Sequence, residues 1–185
     1  MEEKTSLKIG VLGSTKGTTM QAIISAIEDQ SLNAVIEVVI SNRKKAFILE
    51  RAKNHGIPAV FVGAKGKKNR EEYDASVTEI LLQYHVDVVL CIGFMRILSS
   101  AFCQKWKDRI LNVHPSLLPK YVGGMDLNVH EEVLKNCETE SGCTIHLVDE
   151  VVDGGKILIQ KSCAIDDDET PESLKIKVQK LEGVA

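Results

Sequence analysis

Short runs of β-branched and other apolar residues alternate with longer segments of helical spacing along most of this chain, a pattern that admits little besides βαβ units and a parallel sheet. Strands are expected at Leu7 to Leu12, Ala34 to Ile40, Ala59 to Val62, Asp87 to Ile92 and Ile110 to Val113. The fourth of these is a near-continuous apolar run, the form taken by a strand covered on both faces. Helices are expected between them, from about Thr19 to Asp29, Ala46 to Asn54, Arg70 to Tyr84 and Ser99 to Lys107. In the third, Val77, Ile80 and Leu81 carry the helical period, and at the end of the second His55-Gly56 supplies a helix stop. Beyond Val113 the pattern changes. A proline-punctuated loop runs to Met125, and a helix follows from Val129 to Lys135. Two strands, Thr144 to Val148 and Lys156 to Ala164, precede a final helix that Pro171 opens.

These elements describe an α/β chain, with a Rossmann-like, mostly parallel sheet flanked by helices. A mixed α+β C-terminal half is fused to it in the same domain. A length of 185 residues, without linker or repeat, is expected to form one domain spanning 1–185. The net charge of −3 supplies no general field for nucleic acid. No apolar run approaches the ~20 residues that span a bilayer, and the opening residues lack the apolar core of a signal peptide, so a cytoplasmic protein is expected. The five cysteines contain no Cys-x-x-Cys pair, which argues against a zinc site or disulfide framework and for reduced, packed thiols. Ligands of an open α/β sheet bind at the carboxyl ends of its strands.

Three segments carry residue types suited to chemistry. The loop from Gly13 to Thr19 joins the first strand to the first helix, where glycine lets the backbone approach an anion and helix N–H groups point outward. No acidic residue ends the second strand, where Ser41-Asn42-Arg43 stands, so a single phosphate suits this loop better than a dinucleotide. On the loop alone an ordinary helix cap at Thr18 or Thr19 explains it equally well. In the second segment, strand alternation places Asn112 and His114 on one face, and Pro115 stops the strand beside them. An amide donor next to an imidazole can stabilise an oxyanion and manage a proton. The third is Asp149 to Gly155, whose Asp153-Gly154 is a hairpin signal in its own right. If Asp153 lies beside His114, its charge orients that ring and is expected to raise its pKa.

In order, the chain reads Ser14-Thr-Lys-Gly-Thr-Thr-Met-Gln-Ala-Ile23, Arg70-Glu-Glu-Tyr-Asp74, Gly93-Phe-Met-Arg-Ile-Leu98 and Asn112-Val-His-Pro-Ser-Leu-Leu-Pro-Lys-Tyr121. Gly142-Cys-Thr-Ile-His-Leu-Val148, Asp153-Gly-Gly155 and Val178-Gln-Lys-Leu-Glu182 follow. From Lys8 to about Glu182 the chain resembles the phosphoribosylglycinamide formyltransferases, folate-dependent enzymes of purine synthesis. The resemblance implies transfer of a formyl group from 10-formyltetrahydrofolate, a co-substrate, to the primary amine of glycinamide ribonucleotide. It implies catalytic roles for Asn112, His114 and Asp153, and a substrate phosphate on Gly17, Thr18 and Thr19. Gln179 and Glu182 match residues near the ribose and amine of the substrate. Met95, Arg96, Ile97, Leu98 and the loop Val148, Asp149, Glu150, Val151 to Asp153 match the folate site, to which Asn112 also belongs. Arg70 matches a cofactor-contacting arginine. No metal is implied, and the partners expected are small molecules, with neither nucleic acid nor membrane, for a monomer or homodimer.

Three departures from the family pattern stand out. Gly17-Thr18-Thr19 replaces the usual Gly-Ser-Asn, keeping a hydroxyl but losing an amide. Val122-Gly-Gly-Met-Asp-Leu-Asn-Val-His130 replaces a shorter segment, within which only His130 is matched. Family members also continue past Ala185, so the last helix is expected to be cut short here. Relatives with the same trio are the alternatives. They are formyltetrahydrofolate hydrolase, which carries an N-terminal regulatory domain; methionyl-tRNA formyltransferase, with a further C-terminal domain; and the sugar-nucleotide formyltransferases. A non-catalytic phosphate- or nucleotide-binding module would need the loop after Gly13 without the trio.

Overall fold

The structure is a computed structural model that describes residues 6–124 and 127–185. The opening residues read against a signal peptide fall largely outside the described residues, and Met125 and Asp126 of the atypical segment lie outside them too. The described residues form seven strands and six helices, an α/β protein. It divides into two compact units, Met1–Ile110 and Leu111–Ala185.

In the first unit β1 (Leu7–Leu12), β2 (Ala34–Ser41), β3 (Ala59–Phe61) and β4 (Val88–Cys91) lie in the order β3-β2-β1-β4, and every pairing is parallel. Between them run α1 (Thr18–Glu28), α2 (Phe47–Asn54) and α3 (Arg70–Gln83), with α4 (Ser100–Lys105) after β4. Alternation along β1 sorts the helices. Ile9 and Val11 pack with Met20 and Ile24 of α1 and with Ile48 and Ala52 of α2. Gly10, on the other face, points at Leu81 of α3 and at Val86. Side-chain caps start α3 and α4: the Asn69 carbonyl oxygen accepts from Glu72 N–H, and Ser99 Oγ accepts from Phe102 N–H. Each such cap stabilises by about 1 kcal/mol.

In the second unit β5 (Ile110–His114), which begins on the last residue of the first, pairs antiparallel with β6 (Glu140–Leu147), and β6 pairs antiparallel with β7 (Ile157–Ala164). Helices α5 (Leu127–Lys135) and α6 (Pro171–Glu182) complete it. Val133, Cys143, Leu174 and Val178 form its small core. Thr170 caps α6 with a capping box closed by Ser173. Strand β6 starts four residues before the apolar run that signals it. Glu140 pairs with Ala164 and Ser141 with Cys163, so cross-strand bonding draws in residues of low strand propensity.

The β6–β7 turn closes tightly. A Cβ on Gly155 would stand 1.8 Å from the Leu147 carbonyl oxygen, a backbone atom that has no rotamer to escape into. Gly155→Ala is therefore expected to destabilise by about 3 kcal/mol or more, at the upper end of overpacking costs. Urea denaturation checks this, and an unchanged midpoint would show that the turn opens freely.

Among the described residues no helix is long and apolar enough to cross a membrane. Among the described residues the cysteines form no disulfide, and burial pushes the Cys91 thiol up to about 12 and the Cys143 thiol up to about 11. Neither is set up as a nucleophile at neutral pH.

Candidate active site

The second unit brings Asn112, His114 and Asp153 together around one further residue, His146. Asn112 and His114 alternate onto one face of β5, and antiparallel register sets Asn112 directly opposite His146 on β6. Asn112 Nδ2 lies 3.1 Å from His146 Nε2. Asp153 comes from the β6–β7 connection, where it occupies the left-handed region at φ 53°, a conformation aspartate tolerates better than most residues. Its Oδ2 accepts from the Gly123 N–H at 2.8 Å and lies 3.3 Å from His114 Nδ1. Its Oδ1 lies 3.4 Å from His146 Nε2. One carboxylate thus bridges two imidazoles. His114 and His146 are 3% and 2% exposed and Asp153 11%, which keeps these interactions out of bulk water.

The pKa values of the two histidines are shifted in opposite directions. Burial pushes the His114 pKa down, and the Asp153 charge and the Tyr121 carbonyl, 3.1 Å from Nε2, oppose this without overcoming it. The His146 ring lies nearby and adds to the lowering. Asp153 acts on His114 in the direction the sequence implies, raising its pKa, but burial outweighs that contribution. Burial also works against a charged His146. There the Asp153 hydrogen bond, the Leu147 carbonyl at 2.8 Å and the charges of Asp153 and Asp149 prevail, and the pKa rises. Burial likewise disfavours the Asp153 carboxylate, but hydrogen bonds from His146 and Gly123 and both imidazoles hold its pKa below the usual value.

In the first unit the loop after β1 is built to present its backbone. The N-cap of α1 is Gly17 at φ 66°, in the left-handed region open to glycine, and no side chain caps the helix. The ordinary cap by Thr18 or Thr19 is not what forms. A Cβ at Gly17 would also stand 2.4 Å from Ile48. Ser14 Oγ donates to Asn42 Oδ1 at 2.6 Å and accepts from the Met95 N–H at 2.8 Å, tying this loop to the segment after β4. Asn42 thus supports the loop from the place where a dinucleotide-binding fold carries an acid.

In Met95, Arg96, Ile97 and Leu98, Ile97 is exposed, while the Arg96 guanidinium stacks 3.9 Å over the ring of buried Tyr73. Arg96 Nε is buried and makes no hydrogen bond among the described residues. Arg70 is the first residue of α3 and is exposed. Val148 is half-buried, whereas Asp149, Glu150 and Val151 are exposed, and Asp149 Oδ1 accepts from the Val151 N–H at 2.8 Å. Gln179 and Glu182 are half-buried on the last turns of α6. His130 lies buried on α5. Among the described residues no group of three or more histidine, cysteine or acidic side chains is arranged to hold a metal ion.

Residues 7–185 match the formyl transferase family. The chain belongs to that family. Of relatives, the trifunctional purine biosynthetic protein adenosine-3 of Drosophila melanogaster is 42% identical over 177 residues, 95% of this chain but 13% of that protein. Phosphoribosylglycinamide formyltransferase of Escherichia coli (strain K12) is 38% identical over 176 residues, 95% of this chain and 82% of the relative. The chain thus spans a small fraction of the trifunctional relatives and most of the bacterial one. Among solved structures, the phosphoribosylglycinamide formyltransferase of Coxiella burnetii superposes with a TM-score of 0.90 at 38% identity, over 97% of this chain and 82% of that one. Glycinamide ribonucleotide transformylase 1 of Symbiobacterium toebii gives 0.93 at 34% identity, over 98% and 84%. Membership of the formyl transferase family fits a site made of an amide donor, a buried imidazole and a carboxylate.

His146 is the member of the network that the sequence reading passed over. It lies in the segment Gly142 to Val148, where it reads as one more strand residue. Its signal is the register that sets it opposite Asn112.

Proposed function

We propose that this chain transfers the formyl group of 10-formyltetrahydrofolate to the primary amine of glycinamide ribonucleotide, a step of purine synthesis, in the cytoplasm and as a monomer or homodimer. One observation carries the reading. In a chain of the formyl transferase family, Asn112, His114 and Asp153 converge within hydrogen-bonding reach of one another or of one shared histidine. The names of the bacterial relatives supply the acceptor.

The acceptor amine attacks the formyl carbon, and the carbonyl π pair moves onto oxygen to give a tetrahedral intermediate. The Asn112 amide and His114 stabilise that oxyanion by hydrogen bonding. The attacking nitrogen then gives up its proton, which His114 and Asp153 help to move to the departing folate nitrogen. The carbon–nitrogen bond to folate breaks as the carbonyl re-forms, releasing tetrahydrofolate and the N-formyl product. For His114 Nε2 to reach the reacting atoms, substrate takes the place of the Tyr121 carbonyl. Gly17, Thr18 and Thr19 hold the acceptor phosphate on uncapped helix N–H groups, and Gln179 and Glu182 serve the ribose and amine. Folate is bound by Arg70, Met95, Arg96, Ile97, Leu98 and the loop from Val148 to Asp153, and no metal takes part.

The test is folate deformylation with and without acceptor. The rate is expected to depend on added glycinamide ribonucleotide, because its amine is the nucleophile. Equal rates in both arms would replace transfer by hydrolysis.

A further inference from the structure

His146 faces two neighbours that cannot both be satisfied in one protonation state. Its Nδ1 lies 2.8 Å from the Leu147 carbonyl oxygen, so Nδ1 carries a proton and donates. Its Nε2 lies 3.1 Å from Asn112 Nδ2 and 3.4 Å from Asp153 Oδ1. An amide nitrogen only donates, and a carboxylate oxygen only accepts. Without a proton, Nε2 accepts from the Asn112 amide and turns its lone pair toward the carboxylate. With a proton, it donates to Asp153 but confronts the Asn112 NH2 group. A half-turn of the amide, which exchanges its nitrogen and oxygen, removes that clash and offers Oδ1 to Nε2–H.

We propose that His146 is a positioning residue that sets the direction of the Asn112 amide. Protonated, it bonds Asp153 and Asn112 Oδ1 and leaves the amide NH2 pointing away from itself, toward the reacting oxygen. Unprotonated, it draws the NH2 group back and leaves an acceptor where the oxyanion forms. The proposal rests on the formyl-transfer reading for the place where the oxyanion forms, but not for the coupling between the two side chains. The titratable groups acting on His146 among the described residues are Asp153 and Asp149 from the β6–β7 connection and His114 from β5. Two of these three are acids, and the pKa of His146 is accordingly raised against the pull of burial.

Coupling is read on the wild-type protein without ligand. In a ¹⁵N-labelled sample, the ring nitrogens of His146 and the side-chain amide of Asn112 are followed by NMR across its titration. The Asn112 amide resonance is expected to shift with the same midpoint as His146. A resonance that stays still while His146 titrates overturns the proposal, whether or not the chain transfers formyl groups.

Two variants read the consequence for turnover. His146→Leu is expected to lose roughly 10²–10³ in kcat with KM little changed, the loss typical of one missing oxyanion donor. His146→Gln can donate to Asn112 Oδ1 without titrating, so it is expected to recover at least about tenfold of that loss. It is also expected to lose the alkaline limb that His146 contributes to the pH profile. A His146→Leu enzyme with wild-type kcat, or a glutamine variant no better than leucine, contradicts it. If wild-type protein shows no transfer at all, the formyl-transfer reading fails, and the NMR result still decides the coupling.

Discussion

Asn112→Ala is expected to lower kcat by roughly 10²–10³ while KM for both substrates changes little, since a preorganised oxyanion donor acts on the transition state rather than on bound substrate. The side chain is placed for that role. It projects from the same face of β5 as His114, and its amide lies within hydrogen-bonding reach of His146. Alanine removes the donor without touching the backbone pairing of β5 with β6, so the melting temperature should stay close to that of the wild type. Steady-state kinetics and a melting curve on one preparation make the comparison. A near-wild-type kcat would reduce Asn112 to a residue that shapes the strand end.

Asp153→Asn carries the second large effect. Asparagine tolerates the left-handed backbone at this position and forms as good a turn with the glycine that follows. Its side-chain oxygen can still accept from the Gly123 N–H, as Asp153 does. What it removes is the charge shared between His114 and His146. Turnover is expected to fall by at least about 10²-fold, the lower end of what a positioned proton-transfer group supplies. The pH dependence gives the sign. The hydrogen bond and charge of Asp153 help to raise the His146 pKa, so that pKa falls in the variant, while the pKa of His114, already lowered by burial, falls further. Any limb of the pH–rate profile that reports either ring moves toward lower pH, and kcat at pH 8 suffers more than at pH 6.

Stability responds differently. A carboxylate with a depressed folded-state pKa stabilises above its unfolded value, about 3.9, and loses that contribution as pH falls through the folded value. The variant is therefore expected to melt somewhat lower than wild type at pH 7, with the gap closing in acid. A variant that is stable and fully active would leave Asp153 as a turn residue alone.

The sequence displays most of this architecture because its signals are local. The β-branched runs of β1, β2 and β4 and the helical period of α3 need no tertiary information, and each lies within a residue or two of its expected place. The shared face of Asn112 and His114 follows from strand alternation alone. Non-local properties were not legible. The early start of β6 comes from pairing with β7, and the role of His146 comes from its register against β5. Ser14 reads as one polar residue in a loop until it is seen bonded to both Asn42 and Met95. The sign of Asp153's effect on His114 can be read from the sequence, whereas the depth of burial that outweighs it is a property of the folded chain.

The most direct test follows the formyl carbon itself. The protein is mixed with 10-formyltetrahydrofolate labelled with ¹³C in the formyl group, together with glycinamide ribonucleotide, and the carbon is traced by NMR and mass spectrometry through a single turnover. Direct transfer predicts that the label leaves the folate and appears as the formamide carbon of the product, in equal amount and with none on the protein. Label recovered as formate, or bound covalently to the chain, would contradict it.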